Sequence, residues 1–153
     1  TGAWDRFVLP GGMIGDNILT IGDALNGSFG QVAGTDSTGA ATYAEMATAA
    51  GFDGTSPFTP ESYDAAALIM LAMQKAGSSA SGDLKDHVFD VANAPGEQIF
   101  PGELAKALQI IKDGGEVDYV GASAVEMIGN GESAGSYRHL KVEGGEFVTV
   151  KYR

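Results

Sequence analysis

The sequence predicts an α/β protein in which helices outnumber strands. Several segments place apolar residues at helical spacing, and most of them end at a glycine. Short apolar runs lie between these segments, and residues 136–153 alternate polar and apolar side chains. The resulting order is strand, helix, strand, several helices and a final pair of strands, which indicates an α/β architecture with few strands for its helices. No internal repeat is visible.

The first third of the chain predicts two strands and two helices. "RFVLP" (6–10) is a short apolar strand that proline and the following glycines stop. Asp16 is a candidate N-cap for a helix over 16–27, which ends at a glycine. A weaker strand over 28–34 and a second helix over 41–51 follow.

The segment 60–76 predicts the strongest helix of the chain. Thr59 is a candidate N-cap, Pro60 suits the first helical position, and Glu61 lies near the positive end of the helix dipole. The helix ends at Gly77. Because its middle is apolar all round, we expect it to be covered on more than one side.

Two further helices and a hairpin complete the predicted elements. The segments 82–93 and 102–115 carry leucine, valine and isoleucine at helical spacing. Beyond them, "SYRHLKVEGGEFVTVKYR" (136–153) alternates around Gly144-Gly145, which predicts a β-hairpin.

Composition excludes several classes of function. The chain has 153 residues, a formal net charge of −11 and 44% hydrophobic residues, which suits a folded domain rather than a disordered segment. A charge of this sign repels phosphate backbones and anionic lipid, so we expect no nucleic-acid partner. The chain has no cysteine, and therefore neither disulfides nor a thiolate metal site. Its longest apolar run, "AAALIMLAM" (65–73), is too short to span a bilayer.

The sequence shows no motif that is typical of a catalytic site or a metal site. His87 and His139 lie in different predicted elements, and nothing in the pattern brings them together as a base or a metal ligand. "GNGESAG" (129–135) is glycine-rich but precedes a strand, so it predicts a turn rather than a phosphate loop. Glu116 and Asp118 share one side of an extended segment without a partner, as solvated surface acids do. We expect no catalytic residue, no metal and no cofactor.

Four stretches taken in order resemble a known family. They are "RFVLPGGMIGDNILTIGDALNGSFG" (6–30), "YDAAALIMLAMQKAG" (63–77), "PGEQIFPGELAKALQIIKDGGEVDYVGASAVEMI" (95–128) and "GSYRHLKVEGGEFV" (135–148). Together they resemble the C-terminal part of the periplasmic substrate-binding proteins of ABC transporters, in the group that binds leucine, isoleucine and valine. The resemblance covers nearly the whole chain. It implies a fragment of a two-lobe, type 1 periplasmic-binding fold with pieces of both lobes.

The resemblance also implies a division of the chain. In that family two α/β lobes clamp the ligand, and chain segments cross between them. By this likeness "DYVGAS" (118–123) belongs to such a crossing, where its glycine lets the backbone change direction. The implied pieces are a C-terminal-lobe βα piece (1–28), a crossing (29–35), an N-terminal-lobe helical piece (36–118), a second crossing (119–125) and a C-terminal-lobe hairpin (126–153).

Four ligand-binding residues are carried over by this resemblance. Gly11, Gly12 and Met13 match the family's ligand-lining loop, and Phe58 matches an aromatic position against the ligand side chain. Amino-acid binders commonly present an acid in that loop to hold the ligand's ammonium group, and this chain has Gly11 there. The ligand is therefore expected to lack a free α-ammonium, or to be held by another acid. Phe58 has an alternative role as a staple at the start of the helix that follows it.

The function that the resemblance implies is solute capture. We expect a small-molecule ligand, an amino acid or an analogue, delivered to an ABC permease in the membrane by a periplasmic protein whose parent carries a signal peptide. The alternatives are a ligand-sensing domain of the same fold, a structural interaction module and a small α/β enzyme. Because the helix over 60–76 and several strand edges would lack cover, we also expect the chain to associate with a missing N-terminal half or with a second copy of itself.

Overall fold

The computed structural model of the chain describes residues 2–129 and 131–153. The described residues form a mixed α/β structure, as the sequence predicts. The helices are α1 (Asp16–Leu19), α2 (Thr38–Ala49), α3 (Thr59–Ala76), α4 (Ser81–Ala92) and α5 (Leu104–Lys112). The strands are β1 (Val8–Leu9), β2 (Phe29–Ala33), β3 (Glu97–Ile99), β4 (Val117–Tyr119), β5 (Met127–Gly129), β6 (Glu132–Ser133), β7 (Tyr137–Glu143) and β8 (Glu146–Tyr152).

The chain divides into two compact units. One, here the sheet unit, comprises Thr1–Asp36, Ser56–Phe58 and Ser136–Arg153. The other, here the helical unit, comprises Ser37–Thr55 and Thr59–Gly135. The expected crossing at 29–35 largely coincides with β2 of the sheet unit, and the one at 119–125 lies inside the helical unit. The assignment of these segments to lobes and crossings stays a prediction.

The sheet unit is built on four strands in the order β1-β2-β7-β8. β1 and β2 are parallel, and the other two pairings are antiparallel. Leu9, Val32, Leu140 and Val142 point to one face and are almost wholly buried. Ile14 from the loop after β1 packs into the same core. The alternation of side chains along each strand thus gives the sheet one packed face.

The C-terminal hairpin confirms the prediction from the alternating pattern. Gly144 and Gly145 form its turn with φ of 62° and 83°, the left-handed conformation that two-residue hairpin turns require and that glycine adopts without strain. Beyond the turn, β7 and β8 pair residue by residue until the register shifts between His139 and Leu140.

The predicted helix over 16–27 is wrong in its length. α1 covers only Asp16–Leu19, and a separate 3-10 turn covers Gly22–Leu25. Gly22 has a φ of +76°, which a helix does not admit, so the helix cannot continue through it. The predicted cap is also wrong, because Asp16 is the first helical residue and Gly15 occupies the N-cap.

The helical unit packs α3, α4 and α5 around a short parallel pair, β3 and β4. α3, α4 and α5 confirm the predicted helices, with ends shifted by at most three residues. Thr59, predicted as the N-cap of α3, is instead its first helical residue. α2 begins earlier than predicted, since the Ser37 hydroxyl accepts a hydrogen bond from the Ala40 amide at 3.2 Å and caps it. The sequence did not predict β3. The turn expected at 129–135 joins β5 to β6, but Asn130 within it lies outside the described residues.

α3 is covered on one side only within the described chain. Ala67, Leu68, Leu71 and Ala72 form its buried stripe. Ile69, in contrast, is 50% exposed. The expectation that this helix is covered on more than one side is therefore not met by the described residues. No helix in the described part of the chain is long and apolar enough to cross a membrane.

A buried carboxylate ties α3 to the segment after β4. Asp64 is 2% exposed. Its Oδ1 accepts hydrogen bonds from the Tyr119 hydroxyl at 2.9 Å and the Ala122 amide at 2.8 Å. Its Oδ2 accepts two more at 2.6 Å, from the amide and the hydroxyl of Ser123. Four donors satisfy the acid, which is the condition for burying such a group without a large loss of stability.

Tyr119 is fixed as a donor by the same arrangement. Burial, with the Asp64 carboxylate beside it, raises the pKa of Tyr119 far above its usual range. The hydroxyl therefore stays protonated at any physiological pH and donates to Asp64.

Two glycines allow the backbone to approach this carboxylate. Gly121 has a φ of +63°, and a Cβ on it would lie 2.4 Å from Asp64 Oδ1. Gly39, in the first turn of α2, meets the same segment, since a Cβ there would lie 1.9 Å from the Gly121 carbonyl oxygen. α2, α3 and the 119–123 segment thus meet at one point where no side-chain carbon fits.

Replacing the buried carboxylate by its amide isolates its hydrogen bonds without leaving a cavity. We expect Asp64→Asn to lower the free energy of unfolding by about 3 kcal/mol, because the amide presents a donor to groups that are themselves donors. Urea denaturation measures it. Asp86→Asn, at an exposed helical position, is the matched control and should change stability by less than about 0.5 kcal/mol. Equal effects of the two changes would contradict a special role for Asp64.

The same glycine-to-alanine change should have opposite effects in two helices. Gly39→Ala should lower the free energy of unfolding by about 3 kcal/mol or prevent folding, because the new Cβ collides with backbone. Gly82→Ala lies in the first turn of α4 with no atom within 4 Å of the new Cβ. It should raise stability by up to about 1 kcal/mol. Thermal unfolding of both variants tests the pair, and a tolerated alanine at Gly39 would refute the close contact.

Candidate functional site

The loop after β1 is a short, well-fixed turn of the sheet unit. Gly11–Met13 form a 3-10 turn in which the Met13 amide donates to the Pro10 carbonyl at 2.8 Å. The Ile14 amide donates to the Gly11 carbonyl at 3.2 Å, and the Ile14 side chain is buried in the core. The turn therefore presents Gly12 and Met13 to solvent from a rigid base.

Gly11 lies between strand β2 and the ring of Phe58. A Cβ on Gly11 would be 3.5 Å from the Gln31 carbonyl oxygen and 3.9 Å from the Phe58 Cζ. Two of the four residues that the sequence predicted as ligand-binding are thus brought into contact distance, although 47 positions separate them in the chain. Both belong to the sheet unit.

Phe58 has an unusual backbone and an unusual exposure. Its φ is +67°, a left-handed conformation that costs a residue with a Cβ roughly 1–2 kcal/mol. Its side chain is nonetheless 49% exposed. Strain of this kind persists where the surrounding structure holds the residue, and it is frequent at binding sites. About half of the surface of this side chain is therefore exposed beside Gly11.

Gly12 and Met13 border an open depression of ≈ 350 Å³, which is within the volume range of small-molecule sites. Neither Gly11 nor Phe58 is among the lining residues of this depression. The depression is lined by Gly12, Met13, Ile14, Gly15, Asn17 and Ile18.

None of the residues that line the depression has a charged side chain. Asn17 is the only lining residue of the depression with a polar side chain. Gly11 has no side chain and offers backbone groups alone. Within the described residues the turn therefore supplies backbone groups, one amide side chain and apolar contacts from Met13 and Phe58.

The structure brings no catalytic or metal-binding group together in the described residues. His87 belongs to the helical unit, where its Nδ1 lies 3.1 Å from Asp90 Oδ2. His139 belongs to the sheet unit, where it packs edge-on against Phe29. Glu116 forms an ion pair with Lys75 at 2.8 Å. No cluster of three or more potential metal ligands occurs in residues 2–129 and 131–153.

Sequence reasoning missed the role of Asp64. It was noticed only within the "YDA" resemblance, and its four donors lie 55 to 59 positions further along the chain. The available signal was an acid at the start of an otherwise apolar helical stretch, which must find partners if it is buried.

Comparison with known proteins finds one informative similarity. No protein-family profile matches the chain, and no curated protein matches it. The chain is similar to a leucine-binding protein from Thermotoga maritima, whose crystal structure superposes with a TM-score of 0.66 at 16% sequence identity. The similarity covers 96% of this chain and 37% of that protein. The chain thus spans little more than a third of its length.

This similarity identifies the fold. The mixed α/β arrangement of the chain is that of a fragment of a type 1 periplasmic-binding-protein-like fold. The solved protein is named as a binding protein and not as an enzyme. At this level of identity the likeness concerns architecture, and the roles of Gly11, Gly12, Met13 and Phe58 stay predictions.

The strain at Phe58 can be measured by comparing two replacements that both remove the ring. Phe58→Gly should be more stable than Phe58→Ala by about 1 kcal/mol, because glycine accepts a positive φ and alanine does not. Urea denaturation of the two variants gives the difference. At Phe52, which has no positive φ, the glycine variant should instead be equal to the alanine variant or less stable. The same order at both positions would show that Phe58 is unstrained.

Proposed function

We propose that the chain is the C-terminal portion of a solute-binding protein of an ABC importer. In this proposal the whole protein captures an amino acid or a related small molecule between two lobes in the periplasm and delivers it to a membrane permease. The chain performs no chemistry, and capture is a shift of population between open and closed forms. The observation that carries the proposal is the half-exposed, strained Phe58 next to the bare backbone of Gly11.

Three features support this function together. The fold matches a fragment of a leucine-binding protein over nearly the whole chain. The turn Gly11–Met13 is rigid and presents its backbone to solvent. Phe58 supplies a large apolar surface with few rotatable bonds, so holding it against a ligand costs little side-chain entropy. A rigid loop with one aromatic contact is a common way of binding a small ligand.

The chemistry of the turn restricts the class of ligand that it can bind. A buried ammonium group needs a paired negative charge, and Gly11 provides none. We therefore propose a ligand without a free α-ammonium, such as an N-acyl or a deaminated analogue of an aliphatic amino acid, or else a ligand whose ammonium is held by an acid elsewhere in the whole protein.

Binding by the full-length protein tests the function and the ligand class together. Isothermal titration with leucine, valine, their N-acetyl derivatives and the corresponding 2-oxo acids should find saturable binding of at least one compound, with the analogues that lack the ammonium bound most tightly. Absence of binding across these and a wider solute panel would contradict the solute-binding role. Tight leucine binding that survives removal of each nearby carboxylate would contradict the charge reasoning alone.

Phe58→Ala in the same protein should weaken the best ligand about 5- to 150-fold, the equivalent of roughly 1–3 kcal/mol of lost apolar contact. Phe52→Ala is the matched control, because Phe52 is 50% exposed but lies in the helical unit and was not predicted to touch ligand. It should leave affinity unchanged. If Phe58→Ala lowers the melting temperature and keeps the affinity, the ring is a structural staple and not part of the site.

A further inference from the structure

β8 is a long strand at the edge of its sheet. It stands at one end of the order β1-β2-β7-β8 and pairs only with β7 among the described strands. It has seven residues, whereas β1 at the opposite edge has two. Six of the seven are exposed, and Val150 keeps 53% of its surface. Such an edge presents a row of unpaired backbone N–H and C=O groups.

The composition of β8 favours pairing. Its sequence "EFVTVKY" contains three β-branched residues in succession between two aromatic ones and has no proline. Val148 is 40% exposed on the face of the sheet opposite the core, since it lies across from Lys141. The register shift near its end is the one protective irregularity, and it leaves the stretch from Glu146 to Thr149 regular.

The charges of β8 are separated along the strand. Glu146 at its start lies across from Glu143, so that end of the hairpin is acidic. Lys151 near its end lies across from His139 and is followed by Arg153, so the other end is basic. Glu146 and Lys151 point to the same face of the sheet as Val148. Glu143 already forms an ion pair with Lys141, so Glu146 at one end and Lys151 at the other are the charges of β8 that an opposite charge on a paired strand would stabilise.

A second copy of the same strand supplies that opposite charge when it runs antiparallel. Val150 is the extra residue at the register shift of β8, so Glu146 and Lys151 each pair with a β7 residue two positions from the one that pairs with Val148. A two-fold axis at Val148 therefore sets Glu146 of each copy against Lys151 of its partner. The parallel arrangement would instead oppose Glu146 to Glu146. The net charge of the sheet unit also lets two copies approach each other, since this unit has six acidic residues against five lysines and arginines. The acid excess of the chain lies in the helical unit.

We propose that two copies of this chain pair through antiparallel β8 strands and continue the sheet across a two-fold axis. The interface consists of backbone hydrogen bonds, the two Val148 side chains beside each other and two Glu146–Lys151 pairs. This proposal does not depend on the solute-binding function. It identifies the partner as a second copy rather than an unrelated strand, because the charge pattern of β8 is complementary to itself.

Charge reversal decides whether this edge is the interface. Sedimentation velocity of the 153-residue chain should show a dimer that dissociates on dilution. Glu146→Lys and Lys151→Glu should each raise the dimer dissociation constant roughly tenfold, since each places like charges opposite one another twice. The double variant Glu146→Lys/Lys151→Glu should return it to near the original value. Lys112→Glu, an exposed reversal in the helical unit, is the control and should have no such effect.

A cysteine cross-link tests the register independently. The chain has no cysteine, so Val148→Cys introduces a single thiol, which two-fold pairing near that residue brings within disulfide distance of its copy. Mild oxidation should link this variant much faster than Lys112→Cys. A monomer at all concentrations would overturn the proposal. So would a dimer that is insensitive to the charge reversals, a double variant that fails to recover, or equal cross-linking of the two cysteine variants. Circular dichroism confirms that each variant is folded.

Discussion

The carboxylate of Asp64 is the group on which the helical unit depends. It lies on α3 and accepts hydrogen bonds from the hydroxyl of Tyr119 and from backbone and side-chain groups of Ala122 and Ser123. This requires the chain to turn tightly after β4, and Gly121 makes that turn possible. The carbonyl oxygen of Gly121 points towards α2, and the absence of a side chain at Gly39 leaves room for it. One buried acid thus determines which residues are allowed at two distant positions, because an acid taken out of water must have its partners in place.

The elements that the sequence predicted well are those whose signals are local. α3 has a proline in its first turn and a glycine after its end, and the β7–β8 hairpin has two glycines at its turn, so neighbouring residues alone specify both. The prediction of one helix over 16–27 was wrong because apolar residues keep a helical spacing on both sides of Gly22. That spacing does not reveal the positive φ of Gly22, which ends the helix. β3 was missed because a three-residue strand is too short to show a period, and it forms only where β4 is present to pair with it.

The candidate site could be predicted from the sequence only in part. The turn at Gly11–Met13 and the aromatic Phe58 came from a family resemblance, and no local pattern would have joined residues so far apart. The structure adds their proximity and the strained backbone of Phe58, which follow from tertiary packing and not from propensity. The structural role of Asp64 could not be predicted, because the donors to its carboxylate lie 55 to 59 positions further along the chain.

The pairing of β2 with β7 has a consequence for the order in which the chain folds. Phe29 lies across from Lys141, so the ends of the sheet unit are joined over more than a hundred residues. Closing so long a loop is slow, and during synthesis it must wait until the last strands leave the ribosome. The helical unit depends on contacts among residues that are all made earlier. It can therefore fold before the last strands of the sheet unit have been made.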